Sequence, residues 1–177
     1  MESFEQNDLV VKAELLDDID DTNFSEIFEI EKETSINGLM IEAEDLRSSM
    51  EQPNAITVVI RDEGEKISGF ILGLPNEDVW EELHPEDPEF GKEGDCLYIY
   101  DLAISEKSRG LHNFLELVKK LVSEAKARNY KLLTMHTRVG EGLSNVLQKR
   151  YGAKKLRTLE NWQGYGEPFD YLELEIK

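Results

Sequence analysis

The sequence has almost no cysteine and little histidine. Cys96 is the only cysteine among 177 residues, which excludes an intrachain disulfide and a cysteine-based metal cluster. Three histidines occur, and none of them are paired at the spacing of a metal site. A Walker loop, a dinucleotide fingerprint and a serine-centred elbow are also missing. The sequence therefore predicts no metal centre and none of these nucleotide or hydrolase chemistries.

Long apolar runs are missing as well. No uninterrupted stretch approaches the roughly 20 residues that cross a bilayer. The segment from Met1 to Gln6 has neither a basic start nor an apolar core, so we expect no secretory signal and a cytoplasmic location.

Positive charge is scarce. Twenty basic residues stand against 38 acidic ones, and the formal net charge is −18. This excess disfavours nucleic acids and anionic membranes as partners and favours a cationic one. It is equally typical of a surface that only keeps a protein in solution, and that alternative stays open. The basic residues concentrate from Lys107 onward, where a phosphate-bearing cofactor would be attracted.

The most informative stretch lies in the middle of the chain. An apolar, β-branched run from Leu97 to Ser105 predicts a strand, and the polar segment 106–110 predicts a turn. The apolar positions from Leu111 then recur at helical spacing to about Asn129, and a second strand follows at 132–136. Such a βαβ unit places free first-turn amides of its helix at the end of the first strand, where they can hold an anion.

The rest of the chain divides into shorter elements. Turn-forming residues and the spacing of apolar residues predict these elements. Strands are expected at 9–16, 153–159 and 169–176, and strands 55–60 and 67–74 are expected to form a hairpin. Helices are expected at 41–51 and 143–151, and a further helix should be capped by Thr22 or Asn23 and end at Asn37-Gly38. The acidic segment 75–95 is interpreted as an exposed insertion, a possible lid anchored by Val79, Trp80 and Leu83.

This order of elements resembles the GNAT superfamily of N-acetyltransferases over nearly the whole chain. The segment Leu102-Ala103-Ile104-Ser105-Glu106-Lys107-Ser108-Arg109-Gly110 is similar to the family's strand-to-turn motif. The resemblance implies an α/β (α+β) fold, with a single domain over residues 1–177. Its mixed central sheet of about six to seven strands would be flanked by about four helices.

The resemblance also implies a cofactor, acetyl-CoA or another acyl-CoA, bound along the strand and the turn. The residues that it assigns to the cofactor are Leu102, Ala103, Ile104, Lys107, Arg109, Gly110, Leu111, His112, Asn113 and Phe114. The sequence departs from the family at His112 and Phe114. The motif has glycine at the first of these positions and glycine or alanine at the second. We expect the backbone amides to hold the pyrophosphate there, while Phe114 either packs into the core or fills the space of the cofactor.

The catalytic assignment is implied in the same way. The family's general base maps onto His136, and its tyrosine acid maps onto Gln148, which cannot act as an acid. Histidine has a pKa suited to taking a proton from an ammonium near neutral pH. Asp101, as base or amine anchor, and Tyr100, as acid or pocket wall, are the alternatives. A purely structural His136 also stays open.

We expect an acyl-CoA-dependent N-acyltransferase, most simply an N-acetyltransferase, that modifies a primary amine of a cationic small molecule or protein. The alternative is a catalytically inactive GNAT-fold protein that binds or regulates a partner through an acidic surface. By analogy with the family, exposed edges of the final strands make a homodimer plausible.

Overall fold

The computed structural model describes residues 11–35, 40–140 and 142–177. Its strands are β1 (Glu14–Leu15), β2 (Ile56–Arg61), β3 (Ile67–Pro75), β4 (Cys96–Ile104), β5 (Leu132–Arg138), β6 (Lys154–Leu159) and β7 (Phe169–Glu175). Its helices are α1 (Asp21–Thr34), α2 (Ala43–Met50), α3 (Asn76–Leu83), α4 (Leu111–Ala127) and α5 (Leu143–Val146), which continues into a π-helical turn (Leu147–Tyr151).

All seven strands form one mixed sheet in the order β1-β2-β3-β4-β5-β7-β6. The hairpin of β2 and β3 is antiparallel, and β4 lies parallel to β5, with α4 as the crossover between them. A single α/β domain with a seven-stranded sheet confirms the predicted fold class. The strand β6 pairs only with β7 and forms one edge of the sheet, and the dimer suggested for that edge stays a prediction.

The sheet separates two apolar layers. On one face α4 buries Phe114, Leu117, Val118, Leu121 and Ala125 against the strands. The sequence predicted this stripe from Leu111 onward, but Leu111 itself is exposed and the buried stripe begins at Phe114. Each fully buried leucine or valine contributes about 1.5–3 kcal/mol. The other face is covered by α1, α2 and α3 and by the segment that follows α3.

Element boundaries differ from the prediction in several places. The strand predicted at 9–16 is only the two residues of β1, and α1 begins at Asp21, because the carboxylate of Asp20 accepts the amide N–H of Asn23 at 2.7 Å. The helix predicted at 41–51 is shorter at both ends. The predicted stop at Asn37-Gly38 lies outside the described residues.

The segment 75–95 is less exposed than predicted. Val79 and Leu83 anchor α3 as expected, yet Asn76, Asp87 and Phe90 are also buried. The hydroxyl of Thr134 on β5 donates to the Asn76 Oδ1 at 2.8 Å. The interpretation as an exposed insertion was therefore wrong for its buried positions, because polar residues there have partners on the sheet.

Within the described ranges, no helix combines the length and apolar character needed to cross a membrane. The same residues contain no group of three His, Cys, Asp or Glu side chains placed to share a metal ion. Burial raises the pKa of the Cys96 thiol to about 12, so Cys96 is a packed thiol rather than a nucleophile.

Candidate active site

The strands β4 and β5 separate along their length. They pair only from Cys96 to Tyr98 on β4 and from Leu132 to Thr134 on β5. Beyond that point β4 continues to Ile104 and β5 to Arg138 without pairing with each other. The gap opens into a cleft of about 950 Å³. Backbone groups of β4 that a neighbouring strand would satisfy are therefore available to a ligand.

One end of the cleft has apolar walls. Leu102 and Ile104 of β4 and Phe114 and Val118 of α4 line it, and they pack in one apolar cluster. Phe114 is 8% exposed and belongs to the same core cluster as Val118. Its ring thus forms part of the wall, and the cleft remains open beside it.

The N-terminus of α4 closes this end. The helix begins at Gly110 without a side-chain cap, and its first backbone bond runs from the Phe114 N–H to the Gly110 carbonyl at 3.2 Å. The amides before Phe114 have no partner within the helix. A Cβ at Gly110 would meet nothing within 4 Å. The turn is therefore an open cradle of amides that suits an anion.

The side chains of this turn lie at the exposed edge of the cleft. Lys107, Arg109 and His112 are exposed. Asn113 donates through Nδ2 to the carbonyl of Ser108 at 2.7 Å, which fixes the turn. The charges of Lys107 and Arg109 add positive potential beside the amides.

At the other end a β-bulge in β4 shapes the floor of the cleft. Leu72 of β3 lies opposite Asp101, while Gly73 lies opposite Ile99, so Tyr100 is an extra residue. Bulges change the direction in which side chains point. Both Tyr100 and Asp101 line the cleft.

The carboxyl group of Asp101 is buried and incompletely paired. Its Oδ2 has no hydrogen-bond partner among the described residues. Burial, followed by the charge of the adjacent Glu31 carboxyl, raises the pKa of Asp101 well above its usual value. Two neighbouring carboxyl groups that are shielded from water resist ionising together, so Asp101 can hold or accept a proton.

Glu31 is held in place by groups at the end of α1. Its Oε1 accepts the Ser35 hydroxyl at 2.5 Å and the Ile41 amide N–H at 3.2 Å. Glu31 is 3% exposed. Sequence reasoning missed this residue. The available signal was its place four residues after the buried Ile27, on the apolar stripe of α1.

Tyr100 and Glu82 form the wall beside the carboxyl pair. The Tyr100 hydroxyl donates to Glu82 Oε2 at 3.4 Å. Burial and the charge of Glu82 raise the pKa of Tyr100 to about 12, so the phenol stays protonated near neutral pH. Removal from water raises the pKa of Glu82 as well.

His136 lies in a closed polar network. Its Nδ1 is 2.9 Å from the Tyr98 hydroxyl, its Nε2 is 3.1 Å from Asp87 Oδ2, and its side chain is 1% exposed. Burial lowers the pKa of His136, so the ring is neutral at pH 7. Asp87 is ionised and only accepts, hence Nε2–H donates to it and Nδ1 accepts from Tyr98.

The network is completed by an arginine and a tryptophan. Burial alone would raise the pKa of Asp87, but hydrogen bonds from His136 and Arg157 outweigh it and lower that pKa to about 2. Arg157 Nε lies 2.9 Å from Asp87 Oδ1, and Trp162 stacks on the His136 ring at 3.8 Å between centroids. Neither ring nitrogen of His136 is free. The base role of His136 stays a prediction, and the geometry favours Asp101.

The position of the family's tyrosine acid contains no acid here. Gln148 donates through Nε2 to the hydroxyl of Ser144 at 2.9 Å. The nearby Tyr151 donates its hydroxyl to the Leu115 carbonyl of α4 at 3.0 Å. Both side chains are thus engaged in local structure.

The structure brings most of the predicted residues to one cleft. The lining includes Tyr100, Asp101, Leu102, Ala103, Ile104, Arg109, Gly110, Phe114 and His136. The remaining predicted cofactor residues, Lys107, Leu111, His112 and Asn113, lie on the adjoining turn and the start of α4.

Comparison with known proteins agrees with this geometry. The model of the acetyltransferase (GNAT) family matches residues 17–152. No curated protein matches the chain by sequence.

Solved structures share the fold. The NatC complex bound to Gag peptide and CoA is similar with a TM-score of 0.73 and 16% identity, over 94% of this chain and 99% of that one. A phosphinothricin acetyltransferase from Sinorhizobium meliloti in complex with AcCoA has a TM-score of 0.71 and 15% identity, over 95% of this chain and 89% of that one. The ribosomal-protein-S18-alanine N-acetyltransferase from Escherichia coli has a TM-score of 0.70 and 12% identity, over 94% of each chain.

Proposed function

The chain belongs to the acetyltransferase (GNAT) family, and we propose that it transfers an acetyl group from acetyl-CoA to a primary amine of a cationic acceptor. The observation that carries this proposal is the cleft between β4 and β5, which has an amide cradle at one end and a buried carboxyl pair at the other. One end suits a phosphate-bearing thioester, and the other suits an ammonium.

The residues present fit acyl-CoA. The open space beside Gly110 and the free amides of the first turn of α4 would hold the pyrophosphate. The unpaired backbone of β4 near Leu102 and Ile104 would bind the amides of the pantetheine arm. When bound, the cofactor supplies an acyl group activated as a thioester.

Asp101 is the group proposed to take the proton of the amine. An acceptor amine is protonated near neutral pH and must lose a proton before it can attack. A carboxyl group with a raised pKa is a better proton acceptor than an ordinary aspartate. Asp101 would take this first proton. As the neutral amine nitrogen bonds to the acyl carbon, the carbon–sulfur bond would break with the electron pair staying on sulfur, and the second proton that nitrogen loses would pass to the thiolate, directly or through solvent.

The lack of a tyrosine acid is compatible with turnover. A thiol has a pKa near 8.5, so a thiolate leaves readily without full protonation. Positioning of the two reactants supplies much of the rate by itself. Gln148 can therefore replace a tyrosine without abolishing transfer.

Isothermal titration with acetyl-CoA tests the proposal. We expect micromolar binding by the wild-type protein and by Asp101→Asn, because Asp101 lies at the acceptor end. Absence of binding at millimolar acetyl-CoA would overturn the proposal.

The second candidate function is a GNAT-fold binding protein without catalysis. The substitutions at His112, Phe114 and Gln148 favour it. Failure to bind acetyl-CoA in the same titration would support this candidate, whereas acetyl transfer to any amine would exclude it.

A further inference from the structure

Charge is unevenly distributed along the cleft. Its lining includes five acidic residues, Glu31, Glu33, Glu82, Asp101 and Glu106, and two arginines. The backbone N–H of Glu106, in the turn before α4, donates to Glu33 at 2.7 Å. The carboxyl groups of Glu31, Glu82 and Asp101 are therefore the ones at the acceptor end. Arg109 belongs to the turn before α4. Arg138 is paired with Glu167, with Nε 2.6 Å from Oε2. Among the described residues, the acceptor end thus has an excess of negative charge and no cation placed to bind a carboxylate of the acceptor.

The carboxylates at this end occupy two separate positions. Asp101 and Glu31 lie at the floor, where the buried Oδ2 of Asp101 has no hydrogen-bond partner among the described residues. Glu82 lies at the wall, where it accepts a hydrogen bond from the hydroxyl of Tyr100 at 3.4 Å. Tyr100 directly precedes Asp101 on β4, and both residues line the cleft.

Each position suits a different nitrogen of one molecule. The floor can take the amine that reacts, since the unpartnered oxygen of Asp101 can accept its proton. The wall can take a second ammonium, because Glu82 presents a carboxylate oxygen that already accepts a hydrogen bond from Tyr100.

We infer that the acceptor is a small amine with a second cationic nitrogen, held by Asp101 and Glu31 at the reacting end and by Glu82 at the other. This inference rests on the proposed function and narrows its acceptor. An amine with a carboxylate in place of the second nitrogen meets like charge at Glu82 and is rejected.

Three probes of equal chain length test this inference. Putrescine, n-butylamine and γ-aminobutyrate have the same carbon chain and end in a cation, a methyl group and a carboxylate. Titration calorimetry at neutral pH and low salt compares their affinities for the wild-type protein. We expect putrescine to bind at least about tenfold more tightly than n-butylamine, and γ-aminobutyrate to bind most weakly. Equal binding of putrescine and n-butylamine, or binding of none of the three, overturns the inference.

A charge-neutral variant locates the second position. Glu82→Gln is expected to reduce the preference for putrescine over n-butylamine to about twofold or less. The matched control is Glu81→Gln, since Glu81 is the exposed neighbour on α3 and does not line the cleft. The control should keep the wild-type preference. An unchanged preference in Glu82→Gln, or an equal loss in both variants, contradicts the assignment of Glu82.

Failure of this inference is distinguishable from failure of the proposed function. If acetyl-CoA binds and n-butylamine is acetylated as fast as putrescine, the transferase function stands and the dicationic acceptor is wrong. If acetyl-CoA does not bind, the proposed function fails, while the three amine affinities still decide the charge preference of the cleft.

Discussion

The two ends of the cleft recognise their ligands by different means. At the turn before α4 the groups offered are backbone amides and an unpaired strand edge, with apolar side chains as walls. At the opposite end the groups offered are carboxyl side chains, two of them buried against each other. A substitution changes the side chain but leaves the backbone amides in place. The cofactor end should therefore tolerate mutation better than the acceptor end.

This contrast explains how the motif can depart from the family. His112 and Phe114 replace small residues, yet His112 is exposed and Phe114 packs into the core. The amides that matter for an anion remain at the helix start. By contrast, replacing one oxygen of the Asp101 carboxyl group removes the proposed proton acceptor.

The largest expected effect is that of Asp101→Asn. The variant should lower kcat/KM by about 100-fold or more, the usual contribution of a general base. The affinity for acetyl-CoA, measured by calorimetry, should be unchanged. Steady-state kinetics with putrescine as acceptor measures the loss.

His136→Gln is the comparison variant for this prediction. If His136 were the base, His136→Gln would lose activity and Asp101→Asn would keep it. The assignment of the base to Asp101 would then be wrong. Thermal unfolding of both variants separates a catalytic loss from a folding defect.

The next effect concerns the buried network behind the acceptor end. Asp87→Ala leaves Arg157 and His136 without their anionic partner, and loss of one member of a buried ion pair costs about 3–5 kcal/mol of unfolding free energy. Urea unfolding measures it. The control is Asp95→Ala, because the pair of Asp95 with Lys131 is solvent-exposed and should contribute nothing measurable. Equal stability of the two variants would show that the network does not support the fold.

The carboxyl pair also predicts how stability depends on pH. Folding raises the pKa of Asp101 above its unfolded value of about 3.9. Its contribution is therefore fully present below about pH 4 and is lost as the pH rises through the folded pKa. Relative to Asp101→Asn, the wild-type protein should lose stability with rising pH, by at most about 1.4 kcal/mol per pH unit.

Urea unfolding of both proteins at a series of pH values checks this slope. Asp95→Asn is the control, since the hydrogen bond from Lys131 lowers the pKa of Asp95 and the difference from wild type should not fall with pH. If the difference in unfolding free energy between wild type and Asp101→Asn did not change with pH, folding would not raise the pKa of Asp101.

The sequence was sufficient for the central unit of the fold. The apolar run at 97–105 and the helical stripe from Leu111 predicted β4 and α4 to within about two residues, because one burial pattern repeats over many positions.

The contacts between distant segments could not be predicted. Glu31 meets Asp101 only because α1 packs over β4, and Asp87 was placed on an exposed insertion because acidic residues usually face water. Its partner Arg157 lies 70 residues further along the chain. Such pairs depend on tertiary packing, which neither spacing nor composition encodes.

The smallest expected effect is at the cofactor end. His112→Gly restores the small residue of the family motif, yet the imidazole is exposed and is not among the residues that line the cleft, so the affinity for acetyl-CoA should change by about threefold or less. Arg109→Ala is the matched control, because it removes the positive charge of a guanidinium group from the same turn. This variant should weaken acetyl-CoA binding more at low salt than at high salt. Calorimetry at two salt concentrations measures both. A gain of tenfold or more in His112→Gly would mean that side chains, and not only amides, limit this end of the cleft.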